Sequence, residues 1–102
     1  MVQSILMTEE MPKQLILPAT LALIDDDREY SEFLAQYLRD QGVEVSVFLD
    51  SNDLLANPQL YGFDFYVVDL MLPGVDGAEL IRVLRRRTQA GIVVASGKLA
   101  PD

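Results

Sequence analysis

The segment that decides the fold reads Leu21-Ala22-Leu23-Ile24-Asp25-Asp26-Asp27, an apolar stretch followed directly by three carboxylates. A second stretch repeats the pattern as Phe65-Tyr66-Val67-Val68-Asp69. Short apolar runs of this kind are typical of strands that are buried on both faces of a parallel sheet. Because neighbouring parallel strands end at the same edge of a sheet, we expect Asp25, Asp26 and Asp69 to lie close together.

Helix and strand patterns alternate along the rest of the chain. A helix is predicted between Asp27, its N-cap, and Gly42, because apolar residues recur there at helical spacing. Further elements are predicted as a strand over 43–48, a helix over 51–57, a strand over 63–68, a helix opened by Asp76 and Gly77, and a strand over 91–95. This order predicts an α/β fold with a doubly wound parallel sheet and helices on both of its faces.

The side chains expected in the core follow from the same periodicities. In the first helix they are Tyr30, Phe33, Leu34, Tyr37 and Leu38, including the three aromatic residues. In the second helix they are Leu54 and Leu55, and in the third they are Ala78, Leu80, Ile81, Val83 and Leu84. The arginines at positions 82 and 85–87 fall on the outer side or at the end of the third helix. Arginines at such positions more often belong to a solvated helix terminus, where the helix dipole favours them, than to a recognition patch.

Composition limits the possible functions. The chain has 102 residues, enough for one domain, and half of them are apolar. It contains no cysteine and no histidine, which excludes disulfides, zinc–thiolate sites, thiol catalysis and serine–histidine chemistry. A net charge of −8 argues against a nucleic-acid surface on this chain. No signal-peptide pattern or membrane-spanning apolar run is present, so we expect a cytoplasmic protein without a membrane segment.

The predicted acidic cluster points to a metal ion. Like charges a few ångströms apart destabilise one another, and Mg²⁺ is the natural cation for a group of oxygen ligands. We expect Asp26 and Asp69 as direct ligands, the backbone carbonyl of Met71 as a third, and Asp25 acting through water. If a phosphoryl group enters this site, Asp69 is the expected nucleophile and Ser96, after the fourth strand, a hydrogen-bond donor to the phosphoryl oxygens.

These residues together give the chain a family resemblance. From residue 20 to about 100 it resembles the response-regulator receiver domain of two-component signalling, through Asp25-Asp26, Asp69, the segment 71–74, Asp76-Gly77 and Ser96. The resemblance implies a flavodoxin-like sheet and phosphorylation of Asp69 by a histidine kinase or phosphotransfer protein. It also implies Mg²⁺ held by Asp26 with Asp25 beside it, and Ser96 as the switch hydroxyl. Such a domain is regulatory and not an enzyme, since the phosphoryl group is transferred onto the domain itself.

The carboxyl-terminal side departs from the family pattern. The chain ends six residues after Ser96, whereas the family continues with a fifth strand, its lysine, an aromatic switch residue and the last helices. Lys98 matches no role in that pattern. We therefore expect strand order 2-1-3-4 in a receiver domain over 20–102 that is incomplete at its carboxyl terminus, preceded by an amino-terminal extension over 1–19.

A second function remains open because of this departure. The fourth strand would be an exposed sheet edge, which favours strand addition or self-association. The alternative is thus a shortened, non-phosphorylated receiver acting as an interaction or oligomerisation module, with the extension or a second copy covering the exposed surface. Two further possibilities are rejected. A haloacid-dehalogenase-like phosphatase needs an aspartate where Met71 stands, and the segment 91–98 lacks the glycine spacing and the Ser/Thr of a phosphate-binding loop.

Overall fold

The computed structural model describes residues 17–95. Within that range the chain forms four strands and three helices that alternate. They are β1 (Thr20–Ile24), α1 (Arg28–Asp40), β2 (Glu44–Phe48), α2 (Ser51–Leu55), β3 (Phe65–Asp69), α3 (Gly77–Arg85) and β4 (Gly91–Ala95). Each predicted element is present, and the differences from the predicted bounds are confined to element ends.

The described strands form one parallel sheet in the order β2-β1-β3-β4. In the register, Leu21 lies between Val45 on one side and Phe65 on the other, and Asp69 lies opposite Ala95. β1 is therefore central, and all strands direct their carboxyl ends to one edge. The doubly wound parallel sheet and the order 2-1-3-4 predicted from the sequence are confirmed.

Alternate residues of each strand point to opposite faces of the sheet, so the core divides into two parts. On one face α1 packs over β1 and β2, in a cluster that includes Leu21, Leu23, Leu34, Leu38, Val43, Val45 and Val67. On the other face lie α2 and α3, in a cluster that includes Ala22, Ile24, Phe48, Leu54, Tyr66, Val68, Leu80 and Leu84. The central strand is thus covered on both faces.

Helix α1 begins and ends as its sequence predicts. The Asp27 carboxylate caps it by accepting a hydrogen bond from the Tyr30 N–H, and Gly42 follows its end with φ +93°. The predicted aromatic core is wrong for Phe33 and Tyr37, whereas Tyr30 is partly buried and packs against the core. Phe33 is 74% exposed and Tyr37 48% exposed, because α1 packs through Ser31, Leu34, Ala35 and Leu38 instead. The small residues Ser31 and Ala35 occupy the face of α1 that lies against the sheet, so Phe33 and Tyr37 lie on the outer face.

The other two helices follow the prediction with smaller corrections. Leu54, Leu80 and Leu84 are buried, whereas Leu55 and Ile81 are only partly buried. Ala78 is exposed, so its assignment to the inner side of α3 is wrong. The arginines at 82 and 85–87 are exposed, as predicted.

Strand β4 is an edge of the sheet as far as residues 17–95 show it. Gly91 lies against the Phe65 ring, where an added Cβ would come within 2.5 Å of Phe65 Cε2. Val94 is 39% exposed on this strand. Residues 1–16, Ser96 and Lys98 lie outside the described residues, so what the sequence predicts for the extension, the switch hydroxyl and the carboxyl-terminal segment stays a prediction. No helix between positions 17 and 95 combines the length and apolar character needed to cross a bilayer.

Candidate functional site

The first two acids of the site follow β1 directly. The Asp25 N–H donates to the Phe48 carbonyl at 3.0 Å, which extends the pairing of β1 with β2 by one residue. The Asp25 Oδ1 accepts a hydrogen bond from the Asp27 N–H at 2.9 Å. Asp25 is thereby buried, at 6% exposure, whereas Asp26 is exposed.

Helix α1 fixes the backbone of this acidic turn from below. The hydroxyl of Ser31, which is fully buried, donates to the Asp25 carbonyl at 3.3 Å. The Ser31 N–H donates to the Asp27 carbonyl at 2.9 Å as the first turn of the helix forms. The turn is therefore held by the helix that follows it, and Ser31 is a supporting residue that the sequence pattern had not singled out.

The third acid ends β3. Asp69 is 1% exposed, and its Oδ1 accepts a hydrogen bond from the Met71 N–H at 3.0 Å. One carboxylate oxygen each from Asp25, Asp26 and Asp69 lies within 4.8 Å of the others. The sequence prediction that strand ends bring these three acids together is therefore confirmed as geometry, while their roles stay predictions.

The loop of residues 70–76, which joins β3 to α3, is closely packed. The Gly77 N–H donates to the Leu70 carbonyl at 3.2 Å, and a Cβ at Gly77 would meet the Asp69 carbonyl oxygen at 2.5 Å and Leu70 Cα at 2.6 Å. Only a residue without a side chain allows α3 to begin so near the strand end. The side chain of Met71 is 66% exposed in this loop. Its predicted role as a carbonyl ligand stays a prediction.

Partly buried negative charges dominate the electrostatics of the site. Burial raises the pKa of the Tyr30 phenol, and the negative charges of Asp25 and Asp27 raise it further. Three carboxylates in such proximity form a hard, all-oxygen donor set on which a divalent cation offsets the mutual repulsion. The donor set therefore suits Mg²⁺ and offers no nitrogen or sulfur ligand of the kind zinc prefers.

Comparisons with known proteins agree with this geometry. The family model described as the response regulator receiver domain matches residues 21–101. The response regulator receiver protein Anae109_2439 of Anaeromyxobacter sp. (strain Fw109-5) is 39% identical over 81 residues, which is 78% of this chain and 34% of that protein. The DNA-binding response regulator MtrA of Mycolicibacterium paratuberculosis is 33% identical over 78 residues, 76% of this chain and 35% of that protein. The chain spans about a third of the length of these curated relatives.

Solved structures give the same fold. The BeF3-activated N-terminal receiver domain of Klebsiella pneumoniae RstA matches with a TM-score of 0.68 and 31% identity, over 74% of this chain and 64% of that one. The receiver domain of the Francisella response regulator 1452 matches with a TM-score of 0.65 and 26% identity, over 76% and 67% of the two chains.

The parallel sheet of order 2-1-3-4, the three acids at its carboxyl edge and a family model spanning 81 positions of the sequence therefore lead to one assignment. This chain belongs to the response regulator receiver domain family of two-component signalling.

Proposed function

We propose that this chain is a phosphoacceptor module, which takes a phosphoryl group onto Asp69 from a histidine kinase or a phosphotransfer protein in the presence of Mg²⁺. The observation that carries the proposal is the convergence of Asp25, Asp26 and Asp69 within 4.8 Å at the carboxyl edge of the sheet. Clustering like charges costs stability, and a bound divalent cation would offset both that cost and the negative charge of an incoming phosphoryl group.

The positions of the three acids support a proposed role for each. Asp26 is exposed and Asp69 is buried at a strand end, so these two residues would hold a cation at the point where the site opens to solvent. We propose these two residues as direct ligands, with the Met71 backbone carbonyl as a third and Asp25 acting through water. Bound Mg²⁺ would supply charge neutralisation for the incoming phosphoryl oxygens.

In the proposed phosphoryl transfer, the Asp69 carboxylate is the nucleophile. One of its oxygens attacks phosphorus while the bond from phosphorus to the donor nitrogen breaks, and the electron pair leaves with that nitrogen. An acyl phosphate on Asp69 results. The Met71 N–H, which donates to the Asp69 Oδ1 at 3.0 Å, orients the carboxylate. Ser96, through its hydroxyl, is proposed to hydrogen-bond a phosphoryl oxygen.

The direct test is chemical phosphorylation of the purified chain. Incubation with Mg²⁺ and acetyl phosphate should add one phosphoryl group to the intact mass, and Asp69→Asn should abolish the adduct. The matched control is Asp64→Asn, which removes an exposed carboxylate at the other end of β3 and should leave the adduct unchanged. Absence of the adduct from a folded wild-type chain that binds Mg²⁺ would refute the proposal.

A second candidate function is self-association through β4, favoured by its position as the edge of the described sheet and by the 39% exposure of Val94. Strand edges of this kind pair with other chains unless they are covered. If β4 mediates self-association, the molecular mass in solution should rise with protein concentration. Val94→Lys should then shift the equilibrium between oligomer and monomer toward the monomer. A strictly monomeric wild-type chain would exclude this candidate and leave the first untouched. Deleting residues 1–18 and repeating the same assay tests whether the amino-terminal extension covers the exposed sheet edge.

A further inference from the structure

We infer that Ser51, a residue outside the acidic cluster, is a positioning residue that holds the 70–76 loop in the conformation the site requires. The inference rests on the proposed function, because the loop connects Asp69 and Met71 to α3. Ser51 is the first residue of α2 and is fully buried. It reaches the loop from a different part of the chain, more than twenty positions away.

The hydroxyl of Ser51 faces two carbonyl groups of the loop. Its Oγ lies 2.6 Å from the Val75 oxygen and 3.1 Å from the Pro73 oxygen. A hydroxyl has a single hydrogen, so the shorter contact to Val75 is the stronger bond and Pro73 shares the donor. Because Ser51 is inaccessible to water, loss of this donor would leave two loop carbonyls facing an apolar group.

Gly74, between those two carbonyls, shows how closely the loop approaches α2. Its φ of +82° lies in the left-handed region, and a Cβ there would meet Asn52 Nδ2 and Asp50 Oδ1 at 2.8 Å and Ser51 Oγ at 3.0 Å. The loop is therefore in contact with the beginning of α2 along three consecutive residues. This contact is specific to the loop backbone and needs no side chain from the loop itself.

Helix capping does not explain the position of Ser51. The N-cap of α2 is Asp50, whose Oδ1 already accepts the Asn52 N–H at 2.7 Å. The Ser51 hydroxyl is directed away from its own helix and donates only to the loop among the contacts that residues 17–95 show. Its function is therefore in the loop and not in the helix.

Other contacts hold the two ends of the loop and one of its side chains. It is fixed at the start by the bond from the Met71 N–H to Asp69 Oδ1, and at the end by the bond from the Gly77 N–H to the Leu70 carbonyl. In the middle, the Leu72 side chain is buried in the core, and Ser51 holds the backbone carbonyls of Pro73 and Val75. With these contacts in place, the Asp69 carboxylate and the Met71 backbone are already oriented before a cation binds, which lowers the ordering cost of binding.

The test compares Ser51→Ala with Val45→Ala in the full chain. Val45 is a buried β2 residue that packs on the α1 side of the sheet, so its truncation lowers global stability without a contact to the loop. Two quantities are measured under conditions where both variants are folded: the Mg²⁺ dissociation constant by calorimetry, and amide hydrogen exchange of Met71 and Gly77 in metal-free protein. Loss of one hydrogen bond corresponds to about a fivefold change in an equilibrium constant.

We expect Ser51→Ala to weaken Mg²⁺ binding about fivefold and to speed exchange at Met71, whereas Val45→Ala changes neither. Wild-type affinity and wild-type exchange in Ser51→Ala would overturn the inference, as would equal effects in the two variants. If the wild-type chain itself binds no Mg²⁺, the proposed function fails. The exchange measurement still decides whether Ser51 orders the loop, and unchanged exchange then refutes the inference.

Discussion

The two ends of the sheet use aspartate in opposite ways. At the amino-terminal end, Asp64 accepts the Thr20 N–H at 3.1 Å and the Thr20 hydroxyl accepts the Asp64 N–H at 3.1 Å, a reciprocal pair that joins β1 to the residue before β3. At the carboxyl end, three aspartates from two strands crowd within 4.8 Å. The first arrangement pairs one acid with a donor across the strands, whereas the second brings three negative charges together.

The difference separates an acid that stabilises the fold from the acids of the proposed site. Asp64 is exposed and accepts a hydrogen bond from the Thr20 N–H, so it can stabilise the fold without a bound cation. Asp25 and Asp69 are buried near another carboxylate, and the hydrogen bonds from Ser31 to the Asp25 carbonyl and from Gly77 to the Leu70 carbonyl hold the backbone there. A cluster of like charges that raises the electrostatic energy of the fold, and that the surrounding structure nevertheless maintains, is typical of a binding or catalytic site.

The largest expected effect contrasts two glycines, one at each end. Gly77→Ala should destabilise the chain by about 2 to 3 kcal/mol, because its Cβ would meet the backbone of Asp69 and Leu70, which cannot move aside. Gly62→Ala should change stability by less than about 0.5 kcal/mol, since its Cβ would meet the nearest atom at an ordinary 3.4 Å. Urea unfolding of both variants measures this. Equal losses would show that the carboxyl end is not specially crowded.

The next prediction has the opposite sign. Asp69→Asn should stabilise the metal-free chain by about 1 kcal/mol, because it removes one charge from a cluster of like charges. It should also abolish the rise in melting temperature that Mg²⁺ produces in the wild type. Asp64→Asn retains an oxygen that can accept the Thr20 N–H and should change stability by less than about 0.5 kcal/mol. A destabilised Asp69→Asn would contradict the view that repulsion dominates at the site.

A third prediction concerns alkaline pH at the amino-terminal end. The Tyr66 hydroxyl donates to the Leu60 carbonyl at 2.7 Å, and Tyr66→Phe should cost about 1 kcal/mol at neutral pH. Burial raises the pKa of Tyr66 above its ordinary value of 10.0 and the Asp64 charge adds to the rise, while the hydrogen bond from Phe63 opposes it.

The sign of the pH dependence follows from that raised pKa. Above pH 10 the unfolded chain releases this proton before the folded chain does, so the stability that Tyr66 contributes is present below pH 10 and lost as the pH rises further. The difference between wild type and Tyr66→Phe should therefore shrink between pH 8 and pH 11 in urea unfolding. A difference that grows over this range would refute the assignment.

The smallest effect is expected from a position that belongs to neither end. Phe33→Ser should alter stability by less than about 0.5 kcal/mol, because the ring is 74% exposed on the outer side of α1. It should also leave Mg²⁺ binding unchanged. Thermal unfolding with and without Mg²⁺ tests both statements. A loss above about 1 kcal/mol would mean that the ring packs against something in the folded chain.

Sequence reasoning located the acidic cluster because the signal is local. A strand followed by a carboxylate fixes which end of the sheet the acid occupies, and parallel pairing brings Asp25 and Asp69 together. The outward position of Phe33 and Tyr37 was not predicted. The five apolar residues at helical spacing in α1 form a stripe that is wider than the face of the helix that the sheet buries. Small Ser31 and Ala35, which periodicity analysis passes over, turned out to lie against the sheet.

The supporting residues could not be found from local pattern. Ser51 and Gly77 matter because separate segments of the chain approach closely, and neither a serine at a helix start nor a glycine after an aspartate signals that by itself. Gly77 was predicted only as part of a helix start. The distance between its Cα and the β3 backbone depends on how α3 docks, which is a property of the tertiary structure.

The placement of β1 at the centre of the sheet has a consequence for the order of folding. β1, α1 and β2 are neighbours in sequence and form a compact unit through local contacts, whereas β3 must return to β1 across a separation such as the 44 positions between Thr20 and Asp64. Closing that longer loop is entropically costly and slow. A nascent chain can therefore pair β1 with β2 while Asp69 is still distant, and Asp69 adds its charge to those of Asp25 and Asp26 only when β3 docks on β1.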